Sequence, residues 1–190
     1  QWPHHYACPK HGRGLKTLSP TQHQCPVDGQ VFTGWPYDDV VISSRHGRNA
    51  GRVVDLGLAF QWSGDRRYAE RSAAIYREYA RKYPDYPIHD VRGRDTRSGA
   101  RMYAQTLDEA VDLISFAWGY DLIAGSDALA DADRKAIEER FLREAARVIQ
   151  RNNAGMSNWQ SWHNAGVGAA GFALNDAALA GWALYGPSGL

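Results

Sequence analysis

The chain has 190 residues, 44% hydrophobic and 23% charged, with 22 basic against 21 acidic side chains. That is the composition of a globular protein, one domain or a large part of one. The balanced charge gives no ground for expecting nucleic acid or membrane as a partner. No apolar run reaches the length of a membrane span, and Gln1-Trp2-Pro3-His4-His5 has neither the basic start nor the apolar stretch of a signal peptide. Seven Trp and ten Tyr are many for this length. They suit either a well-filled core or a groove in which flat rings stack on sugar faces.

Residues 1–45 read as an irregular segment. They hold five of the eight prolines, four of the seven histidines and both cysteines. Cys8-Pro9-Lys10-His11-Gly12 is echoed by Cys25-Pro26-Val27-Asp28-Gly29. The spacing is that of a zinc knuckle, so Cys8, His11, Cys25 and Asp28 offer four ligands to a tetrahedral structural zinc ion. His23 can stand in for Asp28. A Cys8–Cys25 disulfide, or two unrelated thiols, stay open as alternatives.

From about His46 the texture becomes helical. Val53, Leu56, Gly57 and Phe60 recur at helical spacing until Ser63-Gly64 ends the run. Asp65 can cap a second helix that stops before Pro84. Residues 84–104 read as a linker rich in Asp, Arg and Gly. Thr106 and Glu109 have the spacing of a capping box at the head of a third helix. Asp108 and Glu109 are first-turn acids favoured by the helix dipole; as neighbours they point in different directions and do not make a glycosidase pair.

A fourth helix, from about Asp131 to Asn152, puts Ile137, Phe141, Ala145 and Val148 on one face. Ser157 and Gln160 form a second capping-box pattern. The fifth helix that follows runs through NAGVGAAGFAL, apolar nearly all round, and is expected to be buried on every side. A sixth begins near Asp176. Joined by short turns, these helices form hairpins. The expected fold is all-α. Three hairpins in series suggest a bundle, a solenoid or an α/α barrel. The all-round apolar fifth helix favours residues 46–190 as part of an (α/α) toroid, with that helix in its inner layer and the fourth in its outer layer.

Chemistry concentrates at two helix heads. Trp159, Trp162, His163 and Gly166 share one broad face of the fifth helix, with Asn158 in its first turn. An amide, an imidazole and indoles around the positive end of a helix suit an acidic sugar. A buried core His163, a capping Asn158 and packing Trp residues are the alternative reading. Arg101, Tyr103 and Gln105 precede the third helix. Arg101 can fork to a carboxylate and Gln105 can bind hydroxyls, or the segment is a salt bridge and a turn. No Gly-rich phosphate loop, nucleophile elbow or HExxH is present.

Four segments carry a resemblance that spans nearly the whole chain. They are CPKHG…CPVDG, NAGRVVDLGLAFQWSGDRRYAERSAAIYREYARKYPDYP, GARMYAQTLDEAVDLISFAWGYDLI and, above all, SNWQSWHNAGVGAAGFAL. Together they resemble the N-terminal α/α-toroid region of the heparinase II/III and alginate-lyase type polysaccharide lyases. The resemblance implies β-elimination at a uronic acid of an anionic polysaccharide, alginate or a heparin-like glycosaminoglycan. Asn, His or Arg neutralises the uronate carboxylate, a Tyr or His takes the C5 proton, and a Tyr or His protonates the leaving oxygen. On this resemblance Asn158, His163 and Asn164 look like the catalytic neutralising cluster. Gln105 and Arg101 look like nearby groove residues, and Trp159 and Trp162 like stacking walls. Tyr103 is taken as a further substrate-binding residue, and neither it nor Tyr185 has a clear claim to be the base. The family order is Asn before His, whereas here the adjacent pair is His163-Asn164.

The resemblance further implies no organic cofactor, a secreted or periplasmic location, and later hairpins and a β-sandwich with the catalytic Tyr and His. The chain therefore reads as an apparently truncated enzyme that pairs with its missing C-terminal part or self-associates. A non-catalytic carbohydrate-binding or scaffold module with the same aromatic groove is the alternative. A glycoside hydrolase on an α/α barrel would need two opposed carboxylates, and no such pair stands out.

Overall fold

The computed structural model describes residues 5–186 together with 188 and 189. They fall into two compact units, one ending at Arg48 and the other beginning at Asn49.

The front unit is not wholly irregular. Strands β1 (Lys16–Ser19), β2 (Gln22–Gln24) and β3 (Val31–Phe32) make an antiparallel sheet in the order β1-β2-β3. The strands are two to four residues long and largely exposed, too short for alternation to register in the sequence. Their core is small: Cys8, Leu15 and Cys25 are buried, with Tyr6, Phe32 and Tyr37 packed around them. A polar brace adds to it. The ring of His23 is fully buried, with Nδ1 2.6 Å from the Tyr6 hydroxyl and Nε2 2.7 Å from Asp38 Oδ1. Both nitrogens are engaged, so His23 cannot stand in for Asp28 as a ligand. Helix α1 (Tyr37–Ser63) starts at Tyr37 rather than near His46. Asp38 and Asp39 sit in its first turn, where the helix dipole favours acids, and Asp38 Oδ1 accepts from the Gly34 amide at 3.0 Å.

The second unit continues with α2 (Arg66–Lys82), a 3₁₀ turn (Tyr83–Asp85), α3 (Thr106–Ala124), α4 (Asp131–Ile137), α5 (Arg143–Gln150), α6 (Asn158–Ala173) and α7 (Ala177–Tyr185). A π turn (Glu138–Leu142) joins α4 to α5, so the two make up the expected fourth helix. The Asp65 cap forms, accepting from the Arg67 amide at 3.0 Å. Asp176 caps α7 in the same way, accepting from Ala178 and Leu179.

Contacts between elements give their directions. Val53 meets Gly119 and Gly57 meets Leu122, so the latter half of α1 runs parallel to α3. Gly166 of α6 meets Ala110 of α3, and Thr106 at the head of α3 bonds Asn152 just before α6, so α3 and α6 are parallel too. Arg77 reaches Asp133, and Arg140 reaches the Ala80 carbonyl, which sets α2 parallel to α4 and the π turn. Within each hairpin the sense reverses: Asn49 bonds Tyr79, Tyr120 bonds Glu138, and Gly171 meets Ala180. An interlocked aromatic cluster of Tyr76, Tyr79, Tyr83, Phe116 and Phe141 fills the space between α2, α3 and the π turn.

Helix α6 is not buried on every side. His163, Asn164, Gly166, Val167, Gly168, Ala170 and Gly171 are buried, whereas Asn158, Ser161, Trp162, Ala165 and Phe172 form an exposed stripe. The buried side carries glycines because backbone lies against it. A Cβ at Gly166 would sit 2.6 Å from the Ala110 carbonyl oxygen, and one at Gly171 2.5 Å from the Ala180 amide nitrogen. Gly166→Ala is therefore expected to force α6 away from α3 and to destabilise the protein by about 1–3 kcal/mol. Chemical denaturation of the two proteins checks this. An alanine variant as stable as the wild type would show that the helices are not held at this distance.

Candidate active site at the head of α6

Ser157 is the N-cap of α6, its hydroxyl accepting from the Gln160 amide at 3.4 Å. This is one half of the expected capping box. The reciprocal half does not form, because the buried Gln160 side chain is used elsewhere. Its Oε1 accepts from the Ala154 amide at 2.8 Å, and its Nε2 donates to Asn164 Oδ1 at 2.8 Å. Asn164 in turn donates to the Ser188 carbonyl at 2.6 Å. These groups line an open cleft of about 480 Å³ with Asn158 and Ser161 on its walls and Met156 at its edge. Every residue lining it is formally neutral. Its polarity comes from amides, hydroxyls and the positive end of α6.

Of the three residues singled out as catalytic, Asn158 is exposed and Asn164 is buried, and both line the cleft. His163 lies on the other side of the helix, completely buried, with its ring edge toward Trp159 at 6.3 Å between centroids. Neither ring nitrogen has a hydrogen-bond partner of proper geometry. Burial pushes its pKa down, against the pull of the Asn152 backbone, so the ring is held neutral. Trp162 is about half exposed and Trp159 partly buried; neither lines the cleft.

Arg101, Tyr103 and Gln105 precede α3 and each bonds a partner of its own. The Arg101 guanidinium is bonded to the carbonyls of Pro84 and Tyr86 at 2.9 and 2.5 Å and to Glu144 at 3.1 Å. It ties the linker to α5. Tyr103 donates its hydroxyl to Asp112; burial, with the charges of Asp112 and Glu109, keeps the phenol protonated far above its usual range. Gln105 donates to Asp108 at 2.8 Å.

The capping box expected of Thr106 and Glu109 does not form either. Gln105 is the N-cap of α3, with no side-chain cap bond. Thr106 Oγ1 accepts from Asn152 at 3.0 Å. Glu109 is fully buried, accepting from the Tyr83 hydroxyl at 2.5 Å and the Met102 amide at 3.0 Å. Gln160 and Glu109 are thus the residues that sequence reasoning misplaced. Each sits three positions after a Ser or Thr, and that spelling hides a tertiary role.

In the front unit Cys8 and Cys25 are free and buried. One ligand atom each from Cys8, His11 and Cys25 lies within 4.8 Å of the others, close enough to hold a metal ion.

A family model described as alginate lyase matches residues 1–187. The chain belongs to the alginate lyase family. An exo-oligoalginate lyase of Saccharophagus degradans is 29% identical over 146 residues, which is 75% of this chain and 19% of that protein. The chain thus covers less than a fifth of the length of the curated relative it matches.

Burial pushes the Glu109 pKa up to about 7, against the lowering effect of its hydroxyl and amide bonds. A folded-state pKa above the ordinary carboxylate value near 4.3 means that the folded protein holds the proton more tightly. The associated stability is complete at acidic pH and is lost as pH rises through about 7. Wild type is expected to lose on the order of 3 kcal/mol across that window relative to Glu109→Gln. Asp108 and Asp112, also raised by burial, give a slope that both proteins share. Melting curves from acid to mildly alkaline pH test this. Parallel pH profiles for the two proteins would show that Glu109 does not titrate in this way.

Proposed function

We propose that this chain is part of a polysaccharide lyase that cleaves alginate by β-elimination. In this proposal the unit from Asn49 onward is an arc of an (α/α) toroid, with α1, α3 and α6 on the inside. The observation that carries the reading is the neutral, amide-rich cleft at the positive end of α6, in a chain of the alginate lyase family. The parallel run of α1, α3 and α6, each followed by a returning helix, supports the toroid. Alginate is favoured over a heparin-like glycosaminoglycan because the family description and the S. degradans relative both name it. Action on such a polymer goes with a secreted or periplasmic location.

The chemistry asked of the site is charge stabilisation. A base removes the C5 proton, the electron pair forms the C4–C5 double bond as the C4–O bond breaks, and the leaving oxygen takes up a proton. Between those events the carboxylate carries enolate charge. Asn158, the Asn164 amide and the first amides of α6 are the donors we assign to that group. Trp162, half exposed beside them, is the stacking surface. We assign His163 to the same cluster as a positioning residue. Its buried, neutral ring is turned toward the Asn152 backbone, where it can hold the segment that leads into α6. The Cys8–His11–Cys25 group is read as a structural metal site with no part in this chemistry.

The test is ultraviolet absorbance of the unsaturated product, with the whole protein that carries this chain acting on alginate and on heparin-like oligosaccharides. Alginate should give signal and heparin none. Asn158→Ala should lower kcat/KM about 100-fold with little change in melting temperature, since the side chain is exposed. His163→Leu should lower it too, with stability unchanged or raised. Binding without unsaturated product would make the protein a carbohydrate-binding module. Full activity in both variants would remove the α6 cleft from the reaction.

A further inference from the structure

We infer that Cys8, His11, Cys25 and Asp28 together bind one zinc ion, with Asp28 Oδ2 as the fourth ligand, and that this ion holds the front sheet together. The inference rests on reading the Cys8–His11–Cys25 group as a metal site; it adds the ion and the missing ligand.

Distances support it first. Tetrahedral zinc, with bonds of about 2.3 Å to sulfur and 2.0–2.1 Å to nitrogen, sets sulfur and nitrogen ligands about 3.5 Å apart. His11 Nδ1 lies 3.5 Å from Cys8 Sγ and 3.4 Å from Cys25 Sγ. Asp28 is the nearest carboxylate to the open corner, its Oδ2 3.7 Å from the same nitrogen against about 3.3 Å in ideal geometry. It lies outside the group of three whose ligand atoms are all within 4.8 Å, so its carboxylate swings in when the ion binds. Asp28 Oδ1 is held by the Gln30 amide at 3.1 Å. That bond leaves Oδ2 for the ion and limits how the carboxylate turns, as partners of ligating groups commonly do.

The backbone supports it independently. The two Cys-Pro-x-x-Gly turns are near copies. In each, the glycine amide returns to the cysteine carbonyl: Gly12 to Cys8 at 2.8 Å, Gly29 to Cys25 at 3.0 Å. In each, the cysteine amide donates to the residue after the glycine: Cys8 to Arg13 and Cys25 to Gln30, both at 2.8 Å. Both glycines have positive φ, 63° and 75°, which lets the chain fold back under its own sulfur. The Val27 amide also points at Cys25 Sγ at 3.4 Å, a bond that suits a thiolate. A disulfide would use the two sulfurs but leave the convergence of His11 and Asp28 without a role.

Charge and stability agree. On binding, each thiol releases one proton to solvent. Two thiolates, one carboxylate and a neutral imidazole leave the divalent site with one net negative charge, and the Lys10 ammonium stands 3.5 Å from Asp28 Oδ2 to offset it. Thiolate and imidazole donors select zinc over magnesium or calcium. Among the described residues, the apolar cluster around the two sulfurs amounts to three buried residues and three partly buried ones. That is little to order such a segment without a metal.

The test begins with metal content of the full chain purified without chelator. One zinc per chain is expected. Cobalt(II) exchange should give tetrahedral visible bands and thiolate-to-cobalt charge transfer. Asp28→Ala should weaken zinc binding in chelator competition at least tenfold, and Asp28→Cys should strengthen it and add charge-transfer intensity. Because Asp28→Ala can lower folding generally, its binding is compared with that of Lys10→Ala, whose side chain ligates nothing. A metal-free protein with a Cys8–Cys25 disulfide by mass would overturn the metal site itself. One bound zinc with affinity and cobalt spectrum unchanged in both Asp28 variants would keep the site and overturn Asp28 as its fourth ligand.

Discussion

The helical unit depends on how closely α6 lies against α3 and α7. At Gly166 and Gly171 there is no room for a single methyl group, because the neighbour at each point is backbone rather than a side chain that can turn aside. Such contacts fix rotation as well as distance. Turning α6 by one residue, about 100°, would bring the Ala165 methyl onto the Ala110 carbonyl. The helix is therefore held in one azimuth. That azimuth decides which head residues meet solvent: Asn158 and Ser161 face outward, Asn164 lies at the border of the cleft, and His163 is turned into the protein.

Around this contact the buried polar groups are mostly used up. Gln160 spans the Ala154 amide and Asn164, Asn152 reaches Thr106, and Glu109 gathers the Tyr83 hydroxyl and the Met102 amide. Such bonds hold loops that have little apolar surface of their own, since an unmade bond to a buried group costs more than a made one gains. His163 departs from the pattern. A leucine would fill similar space without burying two ring nitrogens. Buried polar groups without well-formed bonds call for a reason other than packing; under the proposed function that reason is positioning at the head of α6.

What could be read from the sequence was what local spacing decides. Asp65 and Asp176 cap their helices because a cap needs only its own next few residues. The two Cys-Pro-x-x-Gly turns were visible for the same reason. Thr106 and Glu109 have the spelling of a cap, yet the box is missing, because Tyr83, distant in sequence, and the loop at Met102 reach the carboxylate. Arg101 was spelled as a groove residue, but its donors go to carbonyls and a carboxylate that only the folded linker brings near. The run of Gly and Ala in α6 marked burial correctly but could not show the exposed stripe, since those residues differ too little in polarity to mark a face. The strands of the front unit were too short to declare themselves.

The neutrality of the α6 cleft bears on the proposed elimination. Arg101 is committed to the linker and α5, so an anion at this helix head would meet dipoles and not a formal positive charge. A guanidinium would bind the uronate carboxylate strongly before any reaction, which tightens the ground state as much as the transition state. Fixed amides and a helix end interact more modestly with a single negative charge and gain as charge builds on the enolate. They also need no desolvated counter-ion and no rearrangement at the moment of proton removal. A site of this type favours the transition state through orientation of its donors. In the proposed elimination the tight seating of α6 therefore serves the chemistry as well as the fold: a small rotation of the helix would misdirect every donor at once.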